Sequence, residues 1–187
     1  MLNDNKELWV SVLAAAIIAG IYAFVIYFTG KVPAAGEFFG HAIGILGFLL
    51  MLMTEILYSL RKHSRSARWG KMSEWLRFHI FTGLVGPFMV FLHTSWKFNG
   101  LAGMVTWLTV IVVFSGIIGR YIYTLIPRTS DGIELETSLG GAQAAAIAHA
   151  RRLLALWHTI HIPIGMALFV AAFVHIGGAL YYFTFLK

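Results

Sequence analysis

Residues 75–96 read WLRFHIFTGLVGPFMVFLHTSW, an apolar run in which His79 and His93 are embedded behind Arg77. About 20 mostly apolar residues are what an α-helix needs to cross the roughly 30 Å hydrocarbon core of a bilayer. This stretch is long enough, and it has four companions at about 8–28, 38–60, 101–126 and 160–185. Gly30 and Pro33 end the first run and Pro127 stops the fourth. The expected fold is an all-α membrane protein with five transmembrane helices, and residues 1–187 form a single integral membrane domain.

Composition agrees. Of 187 residues 59% are apolar and 12% charged, with a mean hydropathy of +0.78, where soluble domains carry about 25% charged residues. A soluble globular enzyme, a disordered tail and a free-standing nucleic-acid binder are excluded. The chain has no cysteine. It therefore has no disulfide framework, no thiolate-held Fe–S cluster, no covalently attached c-type haem and no thiol nucleophile. Dinucleotide, P-loop and nucleophile-elbow patterns are also missing.

Charge sets the expected sidedness. With the N-terminus inside, eleven basic residues (Lys6, Arg61, Lys62, Arg65, Arg68, Lys71, Arg77, Arg120, Arg128, Arg151, Arg152) fall on the inner side and three (Lys31, Lys97, Lys187) on the outer. That bias predicts a cytoplasmic N-terminus, an external C-terminus and a multi-pass protein of the cytoplasmic (inner) membrane. The pI near 9.8 is then a topology signal with anionic lipid headgroups as the contact, and no nucleic-acid partner is expected. The first span follows a near-neutral segment with Asp4, Lys6 and Glu7, which reads as a retained helix rather than a cleaved signal peptide. The cytoplasmic loop 127–157 holds a turn at 129–132 and an Ala- and Leu-rich stretch at 138–157. Two readings of that stretch stand side by side, an interfacial amphipathic helix and a docking surface.

The eight histidines carry the functional argument. His79 and His93 are 14 residues apart on the third span, and His161 and His175 are 14 apart on the fifth. At 3.6 residues per turn, that interval returns to within about 40° of one face and rises about 21 Å. Both spans run from inside to outside, so His79 matches His161 near the inner side and His93 matches His175 near the outer. Facing histidines at two levels are what two stacked, axially ligated haems require. Gly83, Gly86 and Val90 line the His79 face, and Gly165, Leu168 and Ala172 line the His161 face. Small residues there would let a flat macrocycle approach the backbone. The same residues have plainer uses: a histidine in a membrane helix bonds a neighbour or lines a wet cavity, and spaced glycines bring helices together. His158 lies 17 residues from His175, about 100° off the face. His161 is therefore the expected ligand, and His158 a partner for a propionate or a quinone.

With these residues the chain resembles the di-haem b-type membrane cytochromes, in particular the ferric reductase-like transmembrane domain and the four-helix bundle of cytochrome b. The resemblance covers the topology of about residues 38–187, and rests on His79, His93, His161 and His175. It extends to the short stretches LHT at 92–94, SGIIGRY at 115–121 and WHTIHIP at 157–163. It implies a four-helix di-haem bundle in spans two to five, with the first span added outside. The chain has no sixth span and no flavin or nicotinamide domain, which implies a subunit rather than a self-contained reductase.

Two imidazoles per iron leave no open coordination site, so the expected chemistry is one-electron transfer. The expected cofactors are two bis-histidine haem b groups, with quinone as a further candidate. Arg77 and Arg120 are candidates to hold inner propionates, while Lys97 and Trp96 are the outer candidates. His41 and Glu55 lie 14 apart on the second span and, with His158, would mark a quinone site. Glu55 has a plainer reading as a partner of a nearby arginine, and His41 as an interface residue. His63 and His149 lie in inner polar segments with no special role expected. The leading expectation is a membrane di-haem cytochrome b subunit passing electrons between a quinone or cytoplasmic donor and a partner. Expected partners are a flavoprotein or Fe–S protein inside, or a c-type cytochrome outside. The rival expectations are a His/Glu-based metal or proton transporter and a non-catalytic anchoring subunit.

Overall fold

The computed structural model describes residues 5–63, 70–128, 134 and 141–185. The turn at 129–132, the first residues of the 138–157 stretch, and Asp4, Arg65, Arg68 and Lys187 lie outside the described residues. Among the described residues five helices make the fold: α1 (Lys6–Thr29), α2 (Phe38–His63), α3 (Met72–His93), α4 (Gly100–Thr124) and α5 (Gly141–Phe185). All five are long and apolar enough to cross a membrane. Among the described residues, the β-type pairing is a single antiparallel bridge between Arg128 and Glu134.

The helix ends follow local chemistry. Gly30 adopts φ 68°, and its N–H donates to the Ile26 carbonyl at 2.8 Å. Such a left-handed cap costs glycine little because it has no Cβ. α3 runs through Pro87 and stops at His93, three residues short of the span expected from hydropathy. Ser95 and Trp96 turn the chain there with φ of 51° and 63°. The Ser95 hydroxyl donates to the Pro33 carbonyl at 2.6 Å, tying this turn to the one between α1 and α2.

Large apolar side chains cover the outside of the bundle. Phe38 is 90% exposed, Trp9 72% and Phe114 64%. Apolar surface on this scale has no place on a water-soluble monomer and matches lipid-facing walls. The chain crosses up and down, so the start of α1 lies beside the end of α4. There Arg120, at the C-terminal end of α4, forms a buried ion pair with Glu7 and also donates to the Asn5 side chain at 3.2 Å. We call this side of the bundle the N-terminal face.

Inside, α2 and α3 pack most intimately. Gly47 and Gly86 let the two backbones meet: a Cβ on Gly86 would stand 2.9 Å from the Gly47 carbonyl oxygen. Further along the same seam, Thr54 donates to the Thr82 hydroxyl at 2.5 Å, and Thr82 is 1% exposed. On the other side of the bundle α5 packs along α4.

The longest departure from the sequence-based spans is α5. Its 45 residues form one helix of roughly 67 Å, twice the thickness of the hydrocarbon core. The 141–157 stretch is therefore the first part of the fifth helix and not a separate interfacial one. Ala- and Leu-rich sequence has high helix propensity and nothing breaks it before Trp157. Even Pro163 is accommodated within the helix. The extension is fastened at its base, where Glu134 accepts from Arg128 at 2.8 Å and from Arg151 at 2.9 Å.

A candidate two-level histidine centre

α3 and α5 carry the four paired histidines, and their backbones stand apart. Among the described residues no Cα of one comes within 8 Å of a Cα of the other. They are bridged at mid-depth by apolar side chains. Met51 of α2, Val105 of α4, and Leu168 and Ala172 of α5 form one buried cluster, with Phe48 and Val90 packed against it. Leu168, 2% exposed, stands seven residues from both His161 and His175. An apolar layer thus separates two histidine levels.

At the level away from the N-terminal face, His93 is held by α2. Its Nδ1 lies 2.8 Å from the Gly40 carbonyl oxygen. A carbonyl only accepts, so Nδ1–H is the donor, and in the neutral ring the lone pair is left on Nε2. Gly44, one turn along, makes room: a Cβ there would sit 2.7 Å from His93 Cγ. His175, near the C-terminal end of α5, stands in the same half of the bundle. His41 is exposed, with its ring centroid 6.3 Å from that of His93.

At the level toward the N-terminal face, His161 is held by α4. Its Nδ1 lies 3.0 Å from Ser115 Oγ. The Trp157 indole stacks on it at 4.7 Å and 25°, and donates Nε1–H to the Ser115 carbonyl at 2.7 Å and to Ser115 Oγ at 3.1 Å. Gly119 gives the indole its seat, since a Cβ there would overlap the Trp157 ring. The His158 ring also packs against this indole, tilted at 55° with centroids 4.7 Å apart. His79 stands in the same half of the bundle, on α3. Two residues before it, Arg77 has a buried Nε without a hydrogen-bond partner.

The structure sorts the remaining sequence-derived candidates. Gly86 belongs to the α2–α3 contact rather than to the gap between α3 and α5, because its open face meets Gly47, Leu50 and Met51. Gly83 has only Thr54 at its edge, 4.0 Å from where a Cβ would be, and Gly165 has open space around it. Arg120 does not reach toward the histidines: its guanidinium is engaged by Glu7 and Asn5. Trp96, Lys97, Glu55 and His149 are exposed. A crevice of about 240 Å³ opens between α3 and α4, lined by Leu84, Pro87, Phe91, Thr106, Thr109 and Phe114 among others. Both of its threonines spend their hydroxyls on their own helix, so its walls are apolar.

Sequence reasoning missed Gly40, Gly44, Ser115, Gly119 and Trp157 as supports of the rings. The signal was present for α2, where glycine recurs at 40, 44 and 47, the spacing of a close helix contact. Among the described residues no group of three or more His, Cys, Asp or Glu side chains gathers at one point. A macrocycle that brings its own four nitrogens needs only two. Imidazoles at both levels, the His93 Nδ1 already committed and the α3 and α5 backbones held apart are a donor set that would fit a haem. Compared with family models, with curated proteins and with solved structures, the chain matches none.

Proposed function

We propose that this chain is the membrane subunit of an electron-transfer complex, a b-type cytochrome with one haem at each histidine level. The observation that carries the reading is His93. Its ring is fixed by Gly40 in the tautomer that directs a ligating lone pair from Nε2, on a helix kept clear of the one bearing His175. His93 and His175 would hold the outer group, and His79 and His161 the inner one. When bound, such groups supply one-electron transfer without an open coordination site.

The chain's own residues do the rest. Hydrogen bonds at Nδ1 orient two of the rings and raise their basicity as ligands. The Leu168–Met51 layer keeps water out of the middle of the bundle. Arg77 offers its guanidinium to an anionic propionate near His79. In this reading the protein sits in an inner membrane and exchanges electrons with a flavoprotein or Fe–S protein on the N-terminal face, or with a c-type cytochrome opposite. His41, Glu55 and His158 are the residues where quinone contact would be sought.

Vesicles test the transfer directly. Liposomes containing the protein, with ferricyanide trapped inside and an impermeant reductant outside, should bleach the ferricyanide. His93→Ala liposomes should bleach it no faster than protein-free ones. Equal rates for the wild-type chain and the variant would overturn the proposal.

A further inference from the structure

We propose that Ser115 is a positioning residue for His161 and sets the redox potential at the inner level; the proposal rests on the di-haem reading above. Thr106 and Thr109, earlier on α4, each turn their hydroxyl back to their own helix, to Ala102 and Val105 at 2.8 Å. That is the usual fate of a helical hydroxyl. Ser115 departs from it by meeting α5: its Oγ lies 3.0 Å from His161 Nδ1 and 3.1 Å from Trp157 Nε1. An imidazole that ligates through Nε2 carries its proton on Nδ1, so His161 must donate and Ser115 Oγ must accept. The indole N–H, whose shorter bond goes to the Ser115 carbonyl at 2.7 Å, shares a second branch at 3.1 Å with the same hydroxyl oxygen, whose two lone pairs accommodate both donors. The two donors compete for its electron density.

The sign of the effect follows. Accepting a hydrogen bond from Nδ1–H makes the imidazole a stronger donor to iron, which favours the ferric state and lowers the potential. Removing the hydroxyl raises it. Removing the indole N–H, while keeping a ring against His161, frees Ser115 Oγ for His161 and lowers it. Packing alone would not move the potential in opposite directions in the two variants. The support is also local, since the outer level uses Gly40 instead.

The experiment is a potentiometric titration of the purified chain in detergent, following both haems. The inner component is identified as the one lost in His161→Ala. Ser115→Ala should raise only that component, by about tenfold in its ferric–ferrous equilibrium, or about 59 mV. Trp157→Phe should shift it less and downward, and Ser115→Thr should restore the wild-type value. If Ser115→Ala does not fold, the Trp157→Phe and Ser115→Thr titrations decide by the same signs. Two haems with unmoved potentials in all these variants would overturn the role of Ser115 and leave the di-haem reading standing. A wild-type chain without haem would overturn that reading itself.

Discussion

The two ends of the bundle hold a histidine ring in place by different means. Away from the N-terminal face, His93 is fixed by a backbone carbonyl and by glycines that leave space for it. Toward that face, His161 is fixed by a serine hydroxyl and an indole. The helix ends around them differ in the same way. α1 meets α4 through the buried Glu7–Arg120 ion pair, and meets the end of α3 through the Tyr22 hydroxyl, which donates to the Leu92 carbonyl at 3.4 Å. A support made of backbone is damaged only by filling its space. One made of side chains can be removed an atom at a time.

The contrast is broken most severely at the ion pair. Arg120→Leu leaves Glu7, 6% exposed, as a buried carboxylate without its cation, which should cost about 3–5 kcal/mol. Thermal or denaturant unfolding in detergent reads the loss, and an unchanged midpoint would show the pair to be idle. Next comes Gly44→Ala, which pushes a methyl against the His93 ring. It should cost about 1–3 kcal/mol by overpacking and lower the haem content from two per chain toward one, measured by extraction and absorbance. Gly20→Ala on α1, away from the histidine helices and with open space around its backbone, is the control and should change neither stability nor haem content.

Much of this was legible beforehand, and what was not has physical reasons. Apolar runs locate five helices because lipid demands about 20 such residues each. Each 14-residue histidine pair falls within one continuous helix, α3 or α5. Periodicity, however, says which residues share a face without saying what the face meets. Gly86 shares a face with His79 by spacing, yet its backbone lies against Gly47. Arg120 carries the right charge for a propionate, but α1 brings Glu7 to it from 113 residues away. Ser115 and Gly44 support rings on other helices, a relation no single-helix pattern encodes. The continuous α5 was hidden because the 141–157 stretch, with Arg151 and Arg152, reads as a polar loop segment apart from the apolar run at 160–185, while a helix can run through both.

Smaller effects sharpen the comparison further. Trp157→Phe removes an indole donor from the α4–α5 seam and should cost about 0.5–1.5 kcal/mol, with unfolding as the measure. Tyr22→Phe removes a longer, weaker bond at the opposite end and should cost about 0.5 kcal/mol. A larger loss at Tyr22 than at Trp157 would reverse the view that side-chain fastening is concentrated at the N-terminal face.

The central claim is that the four histidines on α3 and α5 hold two haem groups. Pyridine haemochrome quantitation of the purified chain tests it most directly. The account predicts two haem b per chain, falling to one or fewer in His93→Ala and in His161→Ala. A folded, membrane-extracted chain that carries no haem would contradict it.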